Sequence, residues 1–169
     1  ITGTTINSAN SELTVTFSED VYDTTSGSGD LEAADFALSI SGGVATIGSA
    51  TPTSIAKTSQ TVWVLGFSTS GIANGSETIS VVPAAGNSIY DAAADAAATS
   101  QSNNTAGLIE KVLPIITGTT VNSANSELTV TFSENVYKAI NGAGNGAGNL
   151  EEGDFALSIS GGVATIGSA

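Results

Sequence analysis

The chain has 169 residues, among them 20 Gly, 24 Ala and 45 Ser or Thr, and it contains no Cys, His, Met or Arg. Three lysines (Lys57, Lys111 and Lys138) stand against 16 carboxylates for a formal charge of −13, which excludes a surface that neutralises nucleic-acid phosphates. Without His or Cys there is no Ser-His-Asp triad, no cysteine nucleophile and no nitrogen or sulfur ligand for zinc or copper, and no stretch approaches the roughly 18 apolar residues of a membrane span.

In chain order, Thr2–Asn7 reads as a first strand. In Glu12–Glu19, Leu13, Val15 and Phe17 alternate with Thr14, Thr16 and Ser18, the period-two pattern of a half-buried strand. Phe36, Leu38 and Ile40 alternate in the same way, and Gly42-Gly43 then turns the chain into Val44–Ala50. Thr61–Thr69 puts Trp63, Leu65 and Phe67 on one face and Val62 and Val64 on the other, as a central strand does. Its single Trp reads as core packing rather than a sugar-stacking platform. Glu77–Pro83 supplies Ile79 and Val81, and Leu108–Leu113 supplies a last strand before Pro114. The only candidate for a short helix is the Ala-rich run Ala92–Ala98. Seven short strands with turn signals between them predict an all-β fold, an antiparallel two-sheet sandwich.

The chain repeats itself. Residues 1–22 and 116–137 are identical at 20 of 22 positions, and residues 35–50 return unchanged as residues 154–169. The offset grows from 115 to 119, so four residues are inserted, and they fall in the loop that reads DTTSGSGDLEAA (23–34) in one copy and KAINGAGNGAGNLEEG (138–153) in the other. Exposed loops tolerate such insertions and strands do not. A period near 115 suits a whole bead-like domain. The expected organisation is a complete repeat over 1–114 and the N-terminal half of a second over 115–169, either truncated or completed by a neighbouring chain.

The run TVTFSEDVY, the acidic Gly-rich loop ending in LEAADFALSISGG, and then PTSI, NGSETISV and NSIYDAAADAAATSQSNNT resemble a bacterial immunoglobulin-like repeat. Such repeats occur in tandem in very large secreted and cell-surface proteins, including biofilm-associated adhesins. The resemblance implies an immunoglobulin-like sandwich, an extracellular or cell-surface location, and a rod-forming, adhesive or filament-forming role. It also implies calcium between domains and neighbouring repeats of the same protein as partners. One departure is that related repeats read DAAGN where this chain has DAAAD at 91–95.

The acidic residues themselves point to a cation. Glu19, Asp20, Asp23, Asp30, Glu32 and Asp35 lie between the second and third predicted strands, and Asp91 and Asp95 between the sixth and seventh. In an up-and-down sandwich both loops share one pole. Carboxylates gathered there repel one another unless a cation bridges them, and calcium accepts six to eight oxygens at flexible geometry. The second copy keeps Glu134, Glu151 and Asp154 at the places of Glu19, Glu32 and Asp35, and carries Asn135 and Asn149 for Asp20 and Asp30. The expected ligands are therefore Glu19, Asp20, Asp30, Glu32, Asp35 and Asp91, with Glu134, Glu151 and Asp154 placed near the Leu113-Pro114-Ile115 link. The alternative is a set of solvated loop charges that keep an all-β protein soluble.

Gly142–Gly148 lacks the Lys of a phosphate-cradling loop and reads as a flexible connection. Paired carboxylates could serve a glycosidase, but each repeat offers too few spare rings for a sugar cleft, and no enzyme is expected. Two functions remain: a structural or adhesive repeat stiffened by calcium, and a polysaccharide-binding module on the same sandwich.

Overall fold

The computed structural model describes residues 1–140 and 146–167, and it is all-β, built from antiparallel sheets. The chain divides into two compact units, Ile1–Val112 and Leu113–Ala169.

Unit 1 holds nine strands: β1 (Gly3–Ile6), β2 (Glu12–Thr16), β3 (Phe36–Ser41), β4 (Thr46–Ile47), β5 (Ser54–Lys57), β6 (Val62–Gly66), β7 (Thr69–Ser70), β8 (Thr78–Pro83) and β9 (Thr105–Gly107). One sheet runs β1-β2-β6-β5 and a second β3-β8-β9, with β4 and β7 as a separate pair. The order is not up-and-down, since β2 neighbours β6 and β3 neighbours β8. In the first sheet Leu13 stands opposite Leu65 and Val15 opposite Trp63. In the second, Leu38 faces Val81 and Ile40 faces Ile79 across β3 and β8. The inward residues of both sheets form one core, with Leu13, Val15, Leu65, Ile79 and Val81 fully excluded from solvent, an arrangement compatible with a β-sandwich. Phe17 and Phe36 meet across that core with ring centroids 6.3 Å apart at 53°, a tilted geometry that aromatic pairs favour. Trp63 is 1% exposed and its Nε1–H donates to the Gln60 carbonyl at 3.2 Å.

Two expected elements differ. Leu108–Leu113 is not a strand; the last strand of unit 1 is β9, and the segment after it is held by irregular bonds. The Asn10 side chain, 7% exposed, donates to the Ile109 carbonyl at 2.6 Å and accepts the Ile109 N–H at 2.9 Å, so an amide side chain does the work of a neighbouring strand. Leu108 and Lys111 donate their N–H groups to the carbonyls of Glu77 and Ala73. The Ala-rich run is not a helix either. The Asp91 carboxylate captures the N–H groups of Ala93 and Asp95, both at 2.8 Å, Ala94 takes a φ of 72°, and Ala96 bridges Tyr90. Asp competes with helix in this way by offering the backbone a local acceptor.

Unit 2 holds β10 (Ile116–Val121), β11 (Leu128–Phe132), β12 (Ala139–Ile140) and β13 (Gly146–Ala147), paired β10-β11 and β12-β13. Its first hairpin repeats the register of unit 1: Gly118 opposes Thr131 and Val121 opposes Leu128, as Gly3 opposes Thr16 and Ile6 opposes Leu13. The turns match as well. Asn7 Oδ1 accepts the N–H groups of Ser11 and Glu12 at 2.9 and 3.2 Å, and Asn122 Oδ1 accepts those of Ser126 and Glu127 at 2.9 and 3.3 Å. Residues 142–145 of the expected Gly-rich loop lie outside the described residues; Gly146 packs so closely on Tyr137 that a Cβ there would run into the ring.

Candidate functional site

Two long loops of unit 1, between β2 and β3 and between β8 and β9, carry eight of its carboxylates. They are stitched together by a mutual backbone bridge, in which Tyr22 donates to the Tyr90 carbonyl at 2.7 Å and Tyr90 to that of Tyr22 at 2.9 Å. Beside the stitch, Glu19, Asp91 and Asp95 line one cavity of about 220 Å³ together with Ile1, Phe17, Val21 and Gln101. Asp91 Oδ1 already accepts two backbone N–H groups there.

The other expected ligands have separate roles. Asp20 is exposed on the loop after β2. Asp30 pairs with Lys57 Nζ at 2.5 Å, and that lysine also lies 5.6 Å from the centroid of the Trp63 ring. Asp35 is 9% exposed and ends a 3₁₀ turn, Ala33–Asp35, that leads into β3; its Oδ2 accepts the Glu32 N–H at 2.7 Å. Burial pushes the Asp35 carboxyl above its ordinary value, against the Glu32 N–H, which pulls it down; Asp23 and Glu32 push the same way as burial. Glu32 is exposed.

In unit 2 the same turn recurs at Glu152–Asp154, with Asp154 Oδ2 accepting the Glu151 N–H at 2.8 Å. Glu151 is ion-paired with Lys138, and Glu134 is exposed. Within unit 1 the expected ligands are thus divided among the cavity lining, the Lys57 pair and the Asp35 turn. Among the described residues no three carboxylates stand at a spacing that would hold a metal ion.

The Asp30–Lys57 pair is a surface contact, its side chains 65% and 35% exposed. Such pairs contribute under about 1 kcal/mol, so Asp30→Asn is expected to move the melting temperature of unit 1 by no more than roughly 5 °C in a thermal melt. A shift several times larger would mean that Asp30 holds more than the lysine.

Sequence reasoning missed the best-organised carboxylate in the chain. Glu77, 1% exposed, opens the β8 segment. Its Oε1 accepts the N–H groups of Val44 and Ala45 at 2.8 and 3.0 Å, and its Oε2 accepts that of Asn74 at 3.0 Å. These donors, with Ala45 foremost, hold the carboxyl down to about 2 although burial pushes the other way. The carboxylate clasps the Gly42-Gly43 turn. Both glycines have positive φ, 77° and 55°. A Cβ on Gly42 would come within 2.5 Å of the Ser76 carbonyl, and one on Gly43 would fall inside the Glu77 side chain. The signal in the sequence was a lone acid at the edge of an apolar run, Glu77, well downstream of the Gly42-Gly43 turn.

No helix among the described residues is long and apolar enough to cross a membrane. No family model, curated protein or solved structure matches this chain.

Proposed function

We propose that the chain is part of an extracellular structural or adhesive array, in which immunoglobulin-like β-sandwich beads follow one another as a rod, stalk or filament of a bacterial surface protein. The observation that carries this reading is the internal copy. Twenty of 22 residues recur, with the same hairpin register, the same Asn turn and the same 3₁₀ turn, while the length change is confined to a Gly-rich loop. A chain that reuses one bead with so little change is suited to reach and stiffness. Trp63 is packed in the core, so the one Trp that a sugar-stacking reading would use is not at the surface.

Calcium belongs to the proposal in a narrower form. Of the expected ligands, Glu19 and Asp91 line the same cavity, together with Asp95. A hard, oxygen-seeking cation would be held there by Glu19 and Asp91 at most, with water and backbone carbonyls completing its shell. So few carboxylates fit the weak end of the calcium range, dissociation constants of roughly 0.1–1 mM for extracellular modules.

Thermal melting of the chain with calcium or with a chelator tests this. At about 10 mM calcium, mass action at that affinity stabilises the native state by about 1.4–2.7 kcal/mol, which raises the melting temperature of unit 1 by roughly 5–12 °C. The rise should vanish in a Glu19→Gln/Asp91→Asn variant. An unchanged melting temperature in calcium would remove the ion from the proposal. Scattering from an extended array of such units that proved flexible at all calcium concentrations would remove the rod.

A further inference from the structure

Unit 2 repeats the first part of unit 1 and so presents, uncovered, a face whose covering is visible in unit 1. Leu13, Phe36 and Leu38 are 0%, 1% and 3% exposed, whereas their counterparts Leu128, Phe155 and Leu157 are 42%, 37% and 57% exposed. The face is nonetheless formed. Phe132 and Phe155 meet at 6.4 Å and 47°, close to the 6.3 Å and 53° of Phe17 and Phe36. Leu128, Val130, Phe132, Val136, Phe155 and Leu157 line an open groove of about 520 Å³.

Two polar features of unit 2 match parts of unit 1 that are filled. Gly161 and Gly162 keep positive φ of 76° and 70°, like Gly42 and Gly43. A Cβ on either would meet nothing within 4 Å, where unit 1 has Ser76 and Glu77. Asn125 has the φ of 56° found at Asn10, whose side chain clasps Ile109, and it is exposed where Asn10 is buried.

One stretch of polypeptide supplies everything that unit 1 uses at these places. Residues 51–112 contain β6, which lines β2; β8, which lines β3; Glu77, which enters the Gly-Gly turn; and Ile109, which meets Asn10. We infer that the open face of unit 2 is a docking site for a β-strand segment with the chemistry of residues 51–112. One strand of the segment adds antiparallel to β11, with a Leu65-like residue opposite Leu128 and a Trp63-like residue opposite Val130. A second adds to Phe155–Ser160, and a buried glutamate between them seals the Gly161-Gly162 turn. This is recognition by strand addition, in which main-chain hydrogen bonds provide affinity and alternate side chains provide register. It stands independently of calcium.

The test titrates the 169-residue chain with residues 51–112 carried on a soluble carrier protein and follows amide hydrogen exchange. The expected result is a one-to-one complex in which exchange at Val130 and Ser158, the counterparts of Val15 opposite Trp63 and Ser39 opposite Ser80, slows by roughly a hundredfold or more, with β2 and β3 unchanged. A Val130→Asp/Leu157→Asp chain, its unit 1 still melting as before, is expected to give no response. Glu77→Gln in the added segment should weaken binding. No slowing at segment concentrations up to about 100 μM would overturn the inference. So would a dimer of the chain alone that already protects these amides, because the occupant would then be a second copy.

Discussion

Trp63→Ala is expected to cost unit 1 about 3–5 kcal/mol and to lower its melting temperature by roughly 12–25 °C. The ring is 1% exposed on β6, the strand between β2 and β5, and its backbone partners are Val15 on one side and Lys57 on the other. Truncation leaves a cavity in the core, because core residues such as Leu13 and Val81 are fixed in their own ladders and relax only partly. It also leaves the Gln60 carbonyl without the indole donor. Far-UV circular dichroism reads the melt, since the variant has no other Trp to report by fluorescence. A loss below about 1 kcal/mol would place the ring at the surface instead and reopen a ligand role for it.

What could be read directly from the sequence follows a physical rule. Leu13, Val15 and Phe17 alternate with exposed or half-buried neighbours, as Trp63 and Leu65 do up to the buried Gly66 that precedes Phe67, and all six large side chains are buried. Period-two burial is a local property, so it is written in consecutive residues. The bonds that decide the rest are not local. Asn10 reaches Ile109, 99 positions away, and Glu77 reaches Ala45, 32 positions away. Neither pairing leaves a periodic mark. For that reason the apolar look of Leu108–Leu113 suggested a strand where the structure has a segment held by a side-chain amide. The acidic loops show the same limit. Glu19 and Asp91 line one cavity because a backbone bridge between Tyr22 and Tyr90 joins their loops, a pairing that no carboxylate count contains. Nor could the count show that Asp30 would meet Lys57 or that Asp35 would close its own turn, because the charge count is the same whichever neighbour each acid finds.

Glu77→Gln is expected to remove most of the acid sensitivity of unit 1 and to lower its stability at neutral pH. The native carboxyl is held at about 2 against an ordinary 4.5. A carboxyl lowered on folding contributes stability that is fully present above the unfolded value and is lost as pH falls through the native one. The loss in the natural chain therefore runs from about pH 4.5 down to about pH 2. Asp35 works with the opposite sign. Its native value is raised above 3.8, so the folded state takes up that proton first, and stability rises as pH falls through the raised value towards the ordinary one. The urea midpoint should thus hold or rise slightly on mild acidification and then drop as Glu77 titrates. In the Gln variant the amide keeps an oxygen for Val44 and Ala45, but its NH₂ faces the Asn74 N–H, a donor meeting a donor in a buried place. The variant is weaker at about pH 6, and the gap between the two chains closes as the pH approaches 2. Parallel midpoint curves over that range would show that the Gly-Gly turn does not depend on this charge.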